Sequence, residues 1–329
     1  MSKGYHVAIT GITGVVGQEI LDLLIEREFP IKELSVFASA RSAGRKIDFK
    51  GQEVEVQELT ENSLVPPIDI VFFAAGGDMS AKYSPAASEK GITVIDNSSH
   101  FRMDEDIKLI VPEVNGDTLT QDDHLLANPN CSTIQSVVPL KVLADNYGLK
   151  RVIYNTYQAV SGAGAAGIKD LEEGTTDNFP FLITETAIPQ IDDFTESGYT
   201  KEELKMIDES RKILGHDDLP VTATAIRVPI KNSHGVSINA ELKKDVDLET
   251  LRQQIEDFPG LKLVDNPAKQ EYPLQSEASG IDDILVGRLR HDFSMNNTIN
   301  LWVVADNIRK GAALNSVQIA EYMVEHDLI

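Results

Sequence analysis

Three observations predict an α/β chain of two domains. Short apolar strands alternate with amphipathic helical stretches through the first 130 residues, a glycine-rich turn joins the first strand to the first helix, and strand-like runs dominate from residue 151 onward. With 329 residues, 42% hydrophobic and 25% charged, the chain is long enough for two buried cores. Its formal net charge of −22 disfavours nucleic acid and anionic membranes as partners, so any anion site must be assembled from specific arginines and lysines. A single cysteine excludes an internal disulfide framework. No charged-plus-apolar leader and no run of about 18 apolar residues is visible, so a cytoplasmic protein that does not enter a membrane is expected. No metal site is expected.

Tyr5–Thr10 reads as an apolar strand. Gly11-Ile-Thr-Gly14-Val-Val-Gly17 follows it directly and runs into Gln18–Glu26, an amphipathic helix. This is the strand, turn and helix order of a Rossmann-type domain. Glycines let the backbone approach a pyrophosphate and let helix pack on strand, while the helix N-terminus stabilises the phosphate charge. The G-x-x-G-x-x-G spacing is a variant of the usual fingerprint. It assigns Gly11, Thr13, Gly14, Val15, Val16 and Gly17 to a dinucleotide, with a plain tight turn as the alternative. The second strand, Leu34–Ala38, is followed by no acid that would bind a ribose 2′-hydroxyl. It leads instead to Ser39, Arg41 and Ser42, a cationic, hydroxyl-rich loop suited to a 2′-phosphate, which favours NADP over NAD.

Later strands are expected at Ile68–Ala75 and Gly91–Asp96, ending in Gly76-Gly77 and in Asn97–Arg102. Ligands gather at such carboxyl ends. A further apolar segment, His124–Ala127, precedes Asn128-Pro-Asn-Cys131, where an apolar helical pattern opens. The lone thiol at that junction is a candidate nucleophile, because a helix N-terminus favours the thiolate; a buried structural cysteine is the alternative. From residue 151 an α+β domain with a mixed sheet is expected, with strands at 151–160, 221–230, 236–243, 284–291 and 298–306, and this sheet is expected to carry the subunit interface. Residues 311–324 have apolar positions at 314, 317, 320 and 324, a helical stripe that should return to the first domain. The expected boundaries are therefore 1–130 with 311–329 for the nucleotide domain and 131–310 for the catalytic and dimerisation domain.

Several motifs in the same order carry a resemblance over nearly the whole chain. They are Asn128-Pro-Asn-Cys-Ser-Thr133, Tyr157-Gln-Ala-Val-Ser-Gly-Ala-Gly164, Arg227-Val-Pro with His234, Asp96-Asn-Ser-Ser99, Val111-Pro-Glu-Val114, Ala187–Asp192, Leu301–Asn307 and Lys310–Glu321. With them the chain resembles the aspartate-semialdehyde dehydrogenases, in the branch typified by Gram-positive bacteria. The resemblance implies reversible, NADP-dependent conversion of L-aspartate 4-semialdehyde and phosphate to 4-phospho-L-aspartate through a cysteine acyl-thioester, on the route to lysine and diaminopimelate, threonine and methionine. It implies Cys131 as nucleophile and His234 as acid/base. Gln158 is implied to orient the substrate, Glu202 to meet its ammonium and Arg227 its carboxylate, with Arg102 and Lys205 binding phosphate. Ser161, Gly162 and Asn307 are implied contacts of the cofactor, and a homodimer, or a dimer of dimers, is the implied assembly. Cys131, at the carboxyl edge of the nucleotide sheet, and His234 must then converge across the domain boundary.

The chain departs from the family pattern at Gly235, where serine is usual after the histidine, and at Asp78, where small hydroxyl residues are common. Two rival functions were weighed against this reading. An N-acetyl-glutamyl-phosphate reductase shares the two-domain plan, but Asn130 before the cysteine and Ser132-Thr133 after it fit the aspartate family better. A non-catalytic NADP-binding regulatory homologue is disfavoured by the joint presence of Cys131, Gln158, Arg227 and His234.

Overall fold

The computed structural model describes residues 4–329. The chain divides into two compact units, one of residues up to Pro129 together with Ala312–Ile329, the other of Asn130–Gly311. Cys131 and His234 both belong to the second unit, so the convergence expected across a domain boundary is internal to that unit.

The first unit contains β1 (Tyr5–Thr10), α1 (Val15–Glu26), β2 (Ile31–Ala38), a hairpin of β3 (Lys46–Phe49) and β4 (Gln52–Glu55), then β5 (Gln57–Glu58), β6 (Ile70–Phe73), α2 (Gly77–Ser88), β7 (Thr93–Asp96), β8 (Lys108–Leu109), α3 (Pro112–Asn115) and β9 (Leu125–Ala127). Seven strands form a parallel sheet in the order β5-β2-β1-β6-β7-β9-β8. Every residue of β1, β6 and β7 is buried, the signature of a parallel sheet covered on both faces. The order reverses at β1, with β2 on one side and β6 on the other, and such a switch point is where open α/β sheets take ligands.

The glycine turn after β1 is sterically specified. Gly11 has φ +70°, and a Cβ on Gly17 would overlap the Gly11 carbonyl oxygen, so α1 can pack against the turn only without that side chain. The C-terminal helix, Leu314–Glu325, buries Leu314, Val317 and Ala320 within the core of this unit. It begins at the first position of the apolar stripe, and Arg309–Ala313 before it form a π-helical turn. Arg27 at the end of α1 donates from Nε and Nη2 to the two carboxylate oxygens of Glu321, both at 2.8 Å, a bidentate clasp between the two helices.

The second unit contains α4 (Cys131–Tyr147), β10 (Leu149–Gln158), α5 (Gly164–Glu173), α6 (Lys201–Leu214), β11 (Val221–Arg227), β12 (His234–Leu242), α7 (Leu248–Glu256), β13 (Leu261–Leu263), α8 (Gln275–Ala278), β14 (Ile284–His291) and β15 (Thr298–Ala305). Its sheet is mixed, in the order β11-β10-β12-β15-β14-β13. Along β10 the residues Val152, Tyr154, Thr156 and Gln158 are buried at alternate positions, the period of two that a strand imposes. The strand expected from 236 begins at His234, which places the histidine in the sheet and not in a loop.

Replacing Gly17 by Ala should cost on the order of 1–3 kcal/mol, since a methyl group there must displace backbone. Gly77→Ala is the control: nothing lies within 4 Å of an added Cβ, and a change within about 0.5 kcal/mol is expected. Denaturant unfolding of both variants checks this, and equal losses would show that the turn tolerates a side chain.

Candidate active site

Strand register builds the site. β10 runs parallel to β11 with Gln158 opposite Arg227, and antiparallel to β12 with Tyr157 opposite Gly235. The carboxyl ends of β10 and β11 therefore meet the amino end of β12, and Gln158, Arg227 and His234, all buried, share one sheet edge. The backbone of Ala159, the residue that follows β10, joins two of them. The Ala159 carbonyl accepts a 2.7 Å hydrogen bond from Arg227 Nη1, and the Ala159 N–H donates to His234 Nδ1 at 3.0 Å. The guanidinium also lies over the Phe179 ring, 5.9 Å from its centroid.

These contacts decide the state of the imidazole. Burial, and then the neighbouring Arg227 charge, hold His234 well below the ordinary histidine range, so the ring is neutral near pH 7. Because Nδ1 accepts from a backbone N–H, the proton of the neutral ring resides on Nε2. Nε2 is buried and has no hydrogen-bond partner among the described residues. Gly162 leaves the space beside it open: a Cβ there would come within 2.8 Å of Arg227 Nη1 and 3.2 Å of His234 Nε2. Gly235 has a packing reason, since a Cβ at that position would overlap the Trp302 indole.

Cys131 is the first residue of α4, at the end where the helix dipole favours an anion. Asn130 caps this helix, its Oδ1 accepting from the N–H groups of Ser132 at 2.9 Å and Thr133 at 3.2 Å. The cap is itself held by two buried carboxylates from α6. Glu202 Oε1 accepts from Asn130 Nδ2 at 2.9 Å and from Gln158 Nε2 at 3.1 Å, while Glu209 Oε2 accepts from the Asn130 N–H at 2.6 Å. Lys205 donates to Glu202 Oε2 at 3.4 Å and to Asp192 Oδ2 at 2.9 Å. Gly311 admits the cysteine, because a Cβ there would lie 2.8 Å from Cys131 Cβ. One turn beyond Cys131, Gln135 Nε2 donates to the His234 carbonyl at 3.0 Å and ties the cysteine helix to the histidine strand. Burial holds Arg227 below the ordinary arginine range, while its nearness to Glu202 and Cys131 works in the opposite direction.

In the first unit, Gly14 caps α1 without any side-chain hydrogen bond, and with Gly11 and Gly17 it forms a bare backbone cradle at the helix N-terminus. Thr13 and Val15 are exposed there, with Val16 partly covered. This cradle fits a pyrophosphate. Ser39 and Arg41 are exposed just past the carboxyl end of β2, and Ser42 is largely buried beside them. Arg102 is bound within the first unit, Nε donating to the Asn128 carbonyl at 2.9 Å and Nη2 to the Asn97 carbonyl at 3.2 Å. Asp78 lies exposed in the first turn of α2.

The structure thus brings Cys131, Gln158, Glu202, Lys205, Arg227, Gly162 and His234 into one unit. Ser161 and Asn307, expected at the cofactor, bond to each other within that unit, with Asn307 Oδ1 also accepting from the Ser233 N–H. Sequence reading missed Gln135, Glu209, Ala159 and Gly311. A polar residue in the apolar run of α4 and a helical spacing of seven between Glu202 and Glu209 were the available signals for the first two. Nothing in the sequence could mark Ala159, whose backbone alone is used.

Comparison with known proteins gives a consistent picture. A family model described as semialdehyde dehydrogenase, NAD binding domain, matches residues 6–122, and one described as semialdehyde dehydrogenase, dimerisation domain, matches residues 140–310. The chain is 46% identical over 339 residues to an aspartate-semialdehyde dehydrogenase of Aquifex aeolicus, covering 99% of this chain and 100% of that one. It is 44% identical over 347 residues to the corresponding enzyme of Bacillus subtilis, covering 100% of each. Among solved structures, aspartate semialdehyde dehydrogenase II of Vibrio cholerae complexed with ASA superposes with a TM-score of 0.94 at 44% identity, covering 98% of this chain and 99% of that one.

The depressed basicity of His234 sets a stability profile. Its pKa in the folded state lies below an unfolded value near 6.5, so the advantage of the neutral ring is present above about pH 6.5 and is lost as the pH falls toward the folded value, at up to about 1.4 kcal/mol per pH unit. His234→Gln, neutral throughout, should lose less stability between about pH 6.5 and about pH 5. Urea unfolding across that range measures the difference, and parallel profiles would show that His234 charges freely in the fold.

Proposed function

This chain belongs to the aspartate-semialdehyde dehydrogenase family, and from that premise we propose that it carries out the reversible, NADP-dependent, phosphorylating oxidation of L-aspartate 4-semialdehyde to 4-phospho-L-aspartate. The observation that carries the reading is the buried backbone of a single residue, Ala159, which holds an arginine on its carbonyl and a neutral histidine on its N–H, in the unit that also carries the only cysteine. Cys131 attacks the aldehyde carbon, forming a thiohemiacetal, and later carries the thioester that phosphate cleaves. His234, with its proton on Nε2, donates to the oxygen that develops charge as the thiolate adds, and takes that proton back as the carbon gives up hydride and becomes the thioester carbonyl; the reverse reaction uses the same transfers in the opposite order. Arg227 pairs with the substrate carboxylate, a planar ion suited to a guanidinium fork. Glu202 meets the ammonium and Gln158 orients the substrate, their mutual hydrogen bond fixing one against the other. Lys205 and Arg102 bind phosphate.

The cofactor is held by Gly11, Thr13, Gly14, Val15, Val16 and Gly17, with Ser39, Arg41 and Ser42 at the 2′-phosphate and Gly162 at the nicotinamide side. The chemistry a bound nicotinamide supplies is hydride acceptance. The dimerisation-type unit makes a homodimer or a dimer of dimers. The reaction takes place in the cytoplasm and serves biosynthesis of lysine and diaminopimelate, threonine and methionine.

With aspartate 4-semialdehyde, phosphate and NADP, reduced nicotinamide should appear by its absorbance and fall at least about a thousandfold in rate in Cys131→Ala. A protein that binds NADP without turnover would replace this reading with that of a binding module. Arg41→Ala should narrow the preference for NADP over NAD by about tenfold or more. Unchanged discrimination would remove Arg41 from the 2′-phosphate.

A further inference from the structure

His234 is preceded by a strained residue. Ser233 is fully buried and has φ +72°, a region unfavourable to an L-residue and kept only where surroundings impose it. Two side chains impose it here. Asn307 Oδ1 accepts from the Ser233 N–H at 2.9 Å, and Gln275 Nε2 donates to the Ser233 carbonyl at 2.7 Å. The Ser233 hydroxyl is buried without a partner, so the side chain itself contributes no bond that would explain the conformation.

Asn307 is rigid enough to serve as the fixed point. The loop after β15 is turned by Asp306, whose Oδ1 accepts from the N–H groups of Ile308 at 2.9 Å and Arg309 at 3.0 Å, and whose Oδ2 accepts from the Gly280 N–H at 2.8 Å. Asn307 is additionally locked to the Ser161 hydroxyl, with Nδ2 to Oγ at 3.0 Å. Beyond Ser233 the strand begins at once, with His234 registered against Ala305. The angle at which the chain enters β12 therefore sets where the imidazole points, and the Ala159 N–H then meets Nδ1.

We propose that Asn307 is a positioning residue for His234, acting through the left-handed backbone of Ser233. The inference rests on the reaction proposed above. It makes Asn307 part of the proton-handling apparatus, where the family resemblance made it a contact of the cofactor.

Ser233→Gly supplies the test, because glycine adopts positive φ without cost and should relax the demand on Asn307. Asn307→Ala is expected to lower kcat by roughly tenfold or more while the KM for NADP changes little. In the Ser233→Gly background the same substitution should lower kcat by about threefold at most. Asn307→Asp, which keeps the acceptor for the Ser233 N–H, should retain more kcat than Asn307→Ala and provides a second variant if the alanine form does not fold. A raised KM for NADP with kcat intact, or a loss that Ser233→Gly does not relieve, would overturn the proposal and return Asn307 to the cofactor. Histidine-selective ¹⁵N spectra separate this from the reaction itself. In the wild type the His234 Nδ1 and Nε2 signals should be widely split; they should shift in Asn307→Ala and recover in the double variant. No wild-type turnover would overturn the reaction alone, and unmoved nitrogen signals in Asn307→Ala would overturn the positioning role alone.

Discussion

The backbone of Ala159 is the point on which the site depends. Its carbonyl and N–H leave the end of β10 with no strand partner to serve, and a buried peptide group without partners would be costly. Arg227 and His234 answer both halves. The two peptide planes that meet at the Ala159 Cα thereby set the position of the Arg227 guanidinium and the tautomer of the His234 ring. Because the strand ends around it are fixed by sheet register, neither group can shift without breaking a backbone hydrogen bond. The organisation is fixed before any ligand arrives, which is the condition under which dipoles and charges act most strongly on a reaction.

A second set of constraints arrives from α6. Burying Glu202 and Glu209 is expensive unless each carboxylate is fully engaged, and both are spent on Asn130, with Glu202 also holding Gln158. The result couples the cap of the cysteine helix to the strand that carries Gln158. Gln135 couples the same helix to the histidine strand, so α4, β10 and β12 are joined by side chains as well as by packing. Glu202 thus has a structural duty beside the substrate contact assigned to it, and its Oε2, reached only by Lys205 at 3.4 Å, is the less committed oxygen.

Much of this was legible in the chain. The glycine spacing after β1, the strand alternation and the junction at Cys131 come from strong local rules, and those elements lie where the sequence puts them. The hairpin of β3 and β4 was missed because its short, charged strands show no apolar run, and α2 because Gly76-Gly77 and Pro85 read as turn and breaker. His234 is marked by its motif, yet its burial in β12 is not, since His234-Gly235 extends the strand with residues that no apolar period-two pattern would include. Ala159 and the φ of Ser233 are backbone facts, invisible to any reading of side chains.

The electrostatics of the site follow from these placements. In a chain of net charge −22, the buried Arg227 is a local positive charge, and beside the larger effect of burial it helps to keep the adjacent imidazole neutral. A carboxylate that pairs with Arg227 cancels part of the field that opposes a proton on His234, so a bound anion raises the proton affinity of the ring. In the proposed reaction, proton handling and anion recognition are therefore linked through a single guanidinium, which the 2.7 Å bond to the Ala159 carbonyl holds in place.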